Sequence, residues 1–208
     1  MYILLSLLVV ALLLIVNEIW WRNKNTHAEN PRKIIHIIVG SFIAFWPLYM
    51  SWNWIRLISL ALLLGIIMSK VLNIFTSIHD VERFTLGEFF FAAAIGGLTF
   101  VTKTDWIYTA SLLQMSLSDG LAAIIGVHFG QRNSYKVFGS TKSLAGSAAF
   151  FITSLAILFI AREIVMVQIS DGFIVLISLA ATIVENLAVY GLDNLLLPLV
   201  TAIMLSHS

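Results

Sequence analysis

Carboxylates and ammonium groups inside long apolar runs are the residues of this chain that could do chemistry. Asp119 stands in the segment Ser116-Leu117-Ser118-Asp119-Gly120-Leu121-Ala122-Ala123-Ile124-Ile125-Gly126. Glu185, Asn186, Asp193 and Asn194 stand in a second segment that ends at Pro198. A charge in such surroundings costs several kcal/mol, roughly, unless it is paired, protonated or metal-bound. Buried ion pairing alone would join Asp119 to Lys142 or Arg32. The functional alternative is an ion or phosphate site. Mg²⁺ takes one or two carboxylates together with substrate phosphates and water. Glu185 and Asp193 could both be aimed at one ion, and Asp119 is a third acid whose setting calls for pairing, protonation or a metal. Eight residues separate Glu185 from Asp193, about 80° around a continuous helix. Gly191 is expected to turn the chain between them.

Positive charge collects between these acids. Gly130 to Ser147 is rich in glycine, hydroxyls and cations, including Arg132, Lys136 and Lys142. It runs into the start of an apolar block, where free N–H groups and the positive end of a helix dipole suit phosphate. Lys142, Ser143 and the backbone near Gly146 form the candidate phosphate cradle, and Arg132 adds charge. The Lys-Ser pair lacks the glycine spacing and preceding strand of a Walker A loop. Arg32, Lys33 and His36 share one helix face by their spacing of three and four, a face suited to positioning phosphate or a hydroxyl. No histidine cluster points to zinc.

The elements that must carry these groups follow from composition. Of 208 residues, 60% are apolar and 11% charged, with a mean hydropathy of +0.96. Soluble domains carry about 25% charge, so a soluble globular domain and a disordered chain are both excluded as readings. The absence of cysteine excludes disulfides and thiolate metal sites. A net charge of +1 gives no footing for a nucleic-acid partner. Apolar blocks run 2–21, 34–50, 54–72, 86–101, 106–129, 144–161 and 172–190, with a shorter one at 195–205. They are solidly apolar rather than alternating, which argues against a β-barrel. The expected fold is an all-α integral membrane protein, a polytopic bundle of seven or eight transmembrane helices forming a single domain over residues 1–208. The first block lacks the flanks of a cleaved signal peptide and reads as a retained helix.

Orientation follows from the cations. Arg22, Lys24, Arg32, Lys33, Lys70, Arg83, Arg132, Lys136 and Lys142 lie at odd-numbered connections. Arg56, Lys103 and Arg162 lie at even ones. The odd connections are thus expected in the cytoplasm and the N-terminus outside. The candidate site would face the cytoplasm. Trp20, Trp21, Trp46, Trp52, Trp54 and Trp106 fall near block ends, where headgroups favour them.

Five strings in order carry a family resemblance. They are Arg32-Lys33-Ile34-Ile35-His36, Arg83-Phe84-Thr85-Leu86-Gly87-Glu88, the run from Ser116 to Gly126, Thr141-Lys142-Ser143-Leu144-Ala145-Gly146-Ser147, and Glu185-Asn186 with Gly191-Leu192-Asp193-Asn194 to Pro198. Together, over about residues 32–198, they resemble the CTP-dependent lipid-alcohol kinases. That group includes dolichol kinase, phytol and farnesol kinase, and CTP-dependent diacylglycerol kinase. The chain is most similar to a compact prokaryotic phytol-kinase-like member. Phe91-Ala92 departs from the pattern, since many relatives have a proline after this Glu. The resemblance implies transfer of the γ-phosphoryl group of CTP to a lipid alcohol, with a divalent metal such as Mg²⁺. It implies that Asp119, Glu185 and Asp193 are catalytic or metal-binding. Lys142, Ser143, Gly146, Arg132 and Asn194 would bind nucleotide. Arg32, Lys33, His36 and Glu88 would position phosphate or substrate. Two other functions compete. A CTP:phosphatidate cytidylyltransferase would share the membrane, CTP and metal but release pyrophosphate. A small transporter would use intramembrane polar groups, yet here they gather toward one side.

Overall fold

The computed structural model describes the backbone of residues 2–24, 29–72 and 86–207, and their side chains except at 2, 20–24, 29–32 and 70. Arg83 lies outside the described residues, and so does the side chain of Arg32.

Long apolar runs form helices that tolerate internal residues such as Gly65, Gly96-Gly97 and Pro198, and the chain is helical over most of its described length. α1 (Tyr2–Lys24), α2 (Glu29–Ala44) and α3 (Trp52–Leu72) form the first group. α4 (Gly87–Val101) and α5 (Asp105–Leu113) follow. A π-helical turn, Gln114–Ser118, then passes without a break into α6 (Asp119–Phe129). α7 (Leu144–Val165), α8 (Asp171–Leu187) and α9 (Asp193–Leu205) complete the helical set.

Among the described residues, three helical stretches are long and apolar enough to cross a membrane: Trp52–Ser69, Asp105–Phe129 and Leu144–Val165. Four shorter apolar helices accompany them, at Ile3–Ile19, Lys33–Leu48, Gly87–Val101 and Asp193–Leu205. Burial separates their roles. Of the α5–α6 stretch 56% is buried, against 17% of the α3 window. The helix carrying Asp119 is therefore central, while α3 turns most of its surface outward. Leu57, Leu60 and Leu64 of α3 and Leu4, Leu8 and Leu12 of α1 are exposed. A continuous apolar exterior of this kind suits hydrocarbon rather than water.

Inside, Ile43, Trp46, Ile55, Ile95, Leu98, Tyr108, Leu112 and Met115 are wholly buried in one core. Trp46 thus belongs to packing and not to an interfacial belt. Small residues let the backbones approach. A Cβ on Gly146 would lie 2.9 Å from the Ala122 carbonyl and 3.4 Å from Gly126 Cα. α6 and α7 therefore meet at glycine, and only a residue without Cβ fits.

The all-α expectation has one exception. The connection after α6, read from sequence as a loop, holds a β-hairpin, β1 (Ser134–Val137) and β2 (Ser140–Ser143). Its two-residue turn is Phe138-Gly139, with φ of +46° and +83°. Positive φ at both central positions matches the right-handed twist of paired strands.

Candidate active site

The π turn sets the first acid in place. One extra residue per turn shifts the register of everything after it, and such turns leave carbonyls to be satisfied from elsewhere. His36 Nε2 lies 3.2 Å from the Met115 carbonyl and donates to it, and Ser116 Oγ donates to the Leu112 carbonyl at 2.9 Å. Directly after this turn Asp119 opens α6, 3% exposed. Lys33 Nζ reaches its carboxylate at 2.6 Å. The partner is neither of the two cations expected from sequence. Lys33 lies on α2, which packs against α6 and the π turn, and the helical spacing that joins it to His36 aims both at the same bend.

The second acid is held by the hairpin. Tyr135 and Lys142 are cross-strand partners, so both side chains leave the same face of the ribbon. Both land on the end of α8. Lys142 pairs with the Glu185 carboxylate and donates to the Glu185 carbonyl at 2.9 Å. Tyr135 donates to Asn186 Oδ1 and lies 2.8 Å from Ser147 Oγ. Ser147 Oγ also reaches Asn186 Oδ1, at 3.0 Å. Tyr135 and Ser147 were not singled out by sequence reasoning, because only strand register reveals that Tyr135 travels with Lys142.

Ser143 ends the hairpin and caps α7. Its Oγ accepts from Gly146 N at 3.1 Å. The N–H expected to cradle phosphate is thus already used by the cap. Both residues still border the pocket.

α9 brings the third acid. α8 ends at Leu187, and a turn through Tyr190 (φ +58°) and Gly191 (φ +86°) reverses the chain, as Gly191 predicted. Asp193 begins α9, within electrostatic reach of Asp119, Lys33 and Lys142. Asn194 Nδ2 donates to the Gly87 carbonyl at 2.9 Å, and Leu86 N donates to the Tyr190 carbonyl at 3.1 Å. Asn194 therefore ties the start of α9 to the start of α4.

Lys33, Asp119, Lys142, Glu185, Asp193 and Asn194 border one cavity of about 830 Å³. Ser143 and Gly146 line it too. Arg132 does not. It is exposed on a short 3₁₀ turn, and its neighbour Gln131 borders the cavity instead. His36 and Glu88 line an adjoining cavity.

The acids do not form a three-carboxylate cage. Among the described residues no group of three or more His, Asp or Glu side chains could hold an ion together. What the cavity offers is two carboxylates, Asp119 and Asp193, beside two lysines. That donor set fits Mg²⁺, which completes its octahedron with water and substrate phosphates.

Fold and site together define a class: an apolar helical protein that gathers paired lysines and acids in one polar pocket, as the handling of a phosphate-bearing substrate requires. Its family follows from known proteins. A phytol kinase of Synechocystis sp. is 32% identical over 189 residues, covering 85% of this chain and 78% of that one. A probable chloroplastic phytol kinase of Triticum aestivum is 30% identical over 200 residues, covering 83% of this chain and 65% of the relative. No family model and no solved structure matches. The chain belongs to the phytol kinase family of lipid-alcohol kinases.

Proposed function

We propose that this protein transfers the γ-phosphoryl group of CTP to the hydroxyl of a lipid alcohol at the cytoplasmic face of a membrane. Phytol, farnesol, a polyprenol or diacylglycerol would serve as acceptor. One observation carries the reading: Lys33–Asp119, Lys142–Glu185 and Asp193, from distant stretches of chain, border a single 830 Å³ cavity. That volume falls within the range of about 300–1,000 Å³ typical of ligand sites, and two cations suit a polyphosphate.

Phosphoryl transfer mainly demands position and charge neutralisation. The hydroxyl oxygen bonds to the γ-phosphorus as the bond to the bridging oxygen breaks. CDP leaves with that oxygen, and the hydroxyl proton passes to a carboxylate. Lys142 binds phosphate oxygens as a point charge, exchanging Glu185 for them. Lys33 orients Asp119 through their ion pair while sharing its own charge with the transferring group. Asp119 and Asp193 divide two tasks, proton acceptance and metal binding. Mg²⁺ would be held by the acid that does not take the proton, and would supply further neutralisation of the phosphate charge. His36 holds the π turn, and through it the position of Asp119. Asn194 joins α9 to α4 and lines the cavity that would take the nucleotide.

The test uses purified protein in lipid nanodiscs with γ-labelled CTP, a panel of lipid alcohols, and phosphatidate, with and without Mg²⁺. Label is expected in the lipid, with CDP released and Mg²⁺ required. Release of pyrophosphate with phosphatidate, or no transfer to any alcohol, would refute the kinase reading.

A further inference from the structure

A second cavity of about 150 Å³ adjoins the polar pocket. Its apolar walls are Leu14 of α1, Val39 of α2, Leu62 and Ile66 of α3, and Phe91 of α4, and α9 adds Asn194. Lys33 and Asn194 line both cavities. A molecule seated in the apolar space therefore meets the phosphate-handling groups at that seam. Further polar groups line the smaller cavity: Asn17 of α1, His36 of α2 and Glu88 of α4. His36 is itself fixed, its ring 5.0 Å from that of Phe91 and its Nε2 on the Met115 carbonyl.

Size decides what this space can read. A cavity of about 150 Å³, its walls mainly aliphatic and aromatic with Asn17, Lys33, His36, Glu88 and Asn194 as polar lining, has room for one benzene-sized group, about six carbons. A long lipid tail cannot enter whole. Beyond the cavity, α1 and α3 present exposed leucines, Leu8 and Leu12 on one and Leu60 and Leu64 on the other. A tail leaving the cavity would continue along such a surface without loss of apolar contact.

We propose that this cavity takes the hydroxyl-bearing end of the acceptor, its first five or six carbons, and that acceptors are distinguished by shape near the hydroxyl and not by total length. The inference rests on the kinase reading above and specifies its acceptor site. Lys33 and Asn194 then mark the boundary between the donor and acceptor halves of the site. Leu62 and Ile66 become the residues that set which branching is accepted.

Two measurements test it on the full chain in nanodiscs, with acceptor expressed as mole fraction of lipid. First, alcohols sharing the same proximal branching but differing by five carbons in length should differ less than threefold in KM. A bulky substituent on the third carbon should raise KM more than tenfold. Leu62→Trp should raise the acceptor KM more than tenfold, with CTP affinity by direct binding within twofold of wild type. An active Leu62→Trp protein with unchanged acceptor KM overturns the inference and leaves the kinase reading standing. A wild-type protein that phosphorylates no alcohol overturns both. Second, and independent of any variant's folding, an alcohol with a diazirine near the hydroxyl should label Val39, Leu62 or Phe91 in wild type. A terminal diazirine should label outer leucines of α1 or α3. Labelling by the proximal probe at the α7–α8 exterior alone would overturn the proposal.

Discussion

The two ends of α7 carry similar charges and use them differently. At its start Lys142 meets Glu185, with side chains 18% and 7% exposed. Near its end Arg162 meets Asp171 and Glu163, whose side chains are 77% and 73% exposed. A 22-residue helix, about 33 Å long at 1.5 Å per residue, separates them. Exposed pairs contribute little, because solvent screens them. Buried pairs rarely contribute net stability either, because desolvation offsets the attraction. Removing one partner of a buried pair is costly nonetheless. The lesson is that the Lys142–Glu185 and Lys33–Asp119 pairs hold charges ready in a site, whereas the Arg162 cluster closes a surface turn.

The comparison can be broken at several points. Asp119→Asn should lower kcat about 10³-fold in the CTP-dependent transfer assay, a size typical of losing a charged group in phosphoryl transfer. An unchanged kcat would demote the acid to packing. Lys142→Met leaves Glu185 buried and uncompensated, and should lower unfolding free energy by roughly 3–5 kcal/mol, read by melting in detergent. Adding Glu185→Leu should restore most of that stability and none of the activity. If the double variant regained activity, Lys142 would be structural. Gly146→Ala puts a methyl 2.9 Å from a backbone carbonyl, and overpacking of this kind costs about 1–3 kcal/mol. Tyr135→Phe removes the hydrogen bonds to Asn186 and Ser147. Its cost is about 1 kcal/mol, accompanied by a several-fold rise in KM for CTP as the hairpin loosens. Arg162→Ala should change neither melting nor transfer, and a measurable loss in either would erase the distinction between the two ends.

Much of the site was legible before any coordinates. Asp119, Glu185 and Asp193 stand out because a charge in or beside an apolar run must have a reason, Lys142 because it precedes a helix start in a glycine- and hydroxyl-rich stretch, and all four border one cavity. The turn at Gly191 and the apolar blocks were equally readable, since backbone permissiveness and hydrophobic runs are local properties. Partner choice was not. For Asp119 the sequence offered Lys142 or Arg32, and the packing of α2 against the π turn and α6 brings Lys33 to it instead. Arg132 looked equivalent to Lys142 in sequence. The hairpin directs Lys142 toward α8 and leaves Arg132 on an exposed 3₁₀ turn.

The amino-acid order by itself determined that the chain is apolar and helical, which charges are too costly to be incidental, and where the backbone turns. These depend on each residue and its near neighbours. Tertiary structure alone decided that Tyr135 travels with Lys142, that Ser143 caps α7 through Gly146 N, and that Lys33 and Asn194 stand between a polar and an apolar cavity. Each of those outcomes depends on distances between segments tens of residues apart. Such distances are set by how glycine-lined helices pack and by the register of strands and turns, which no local pattern encodes.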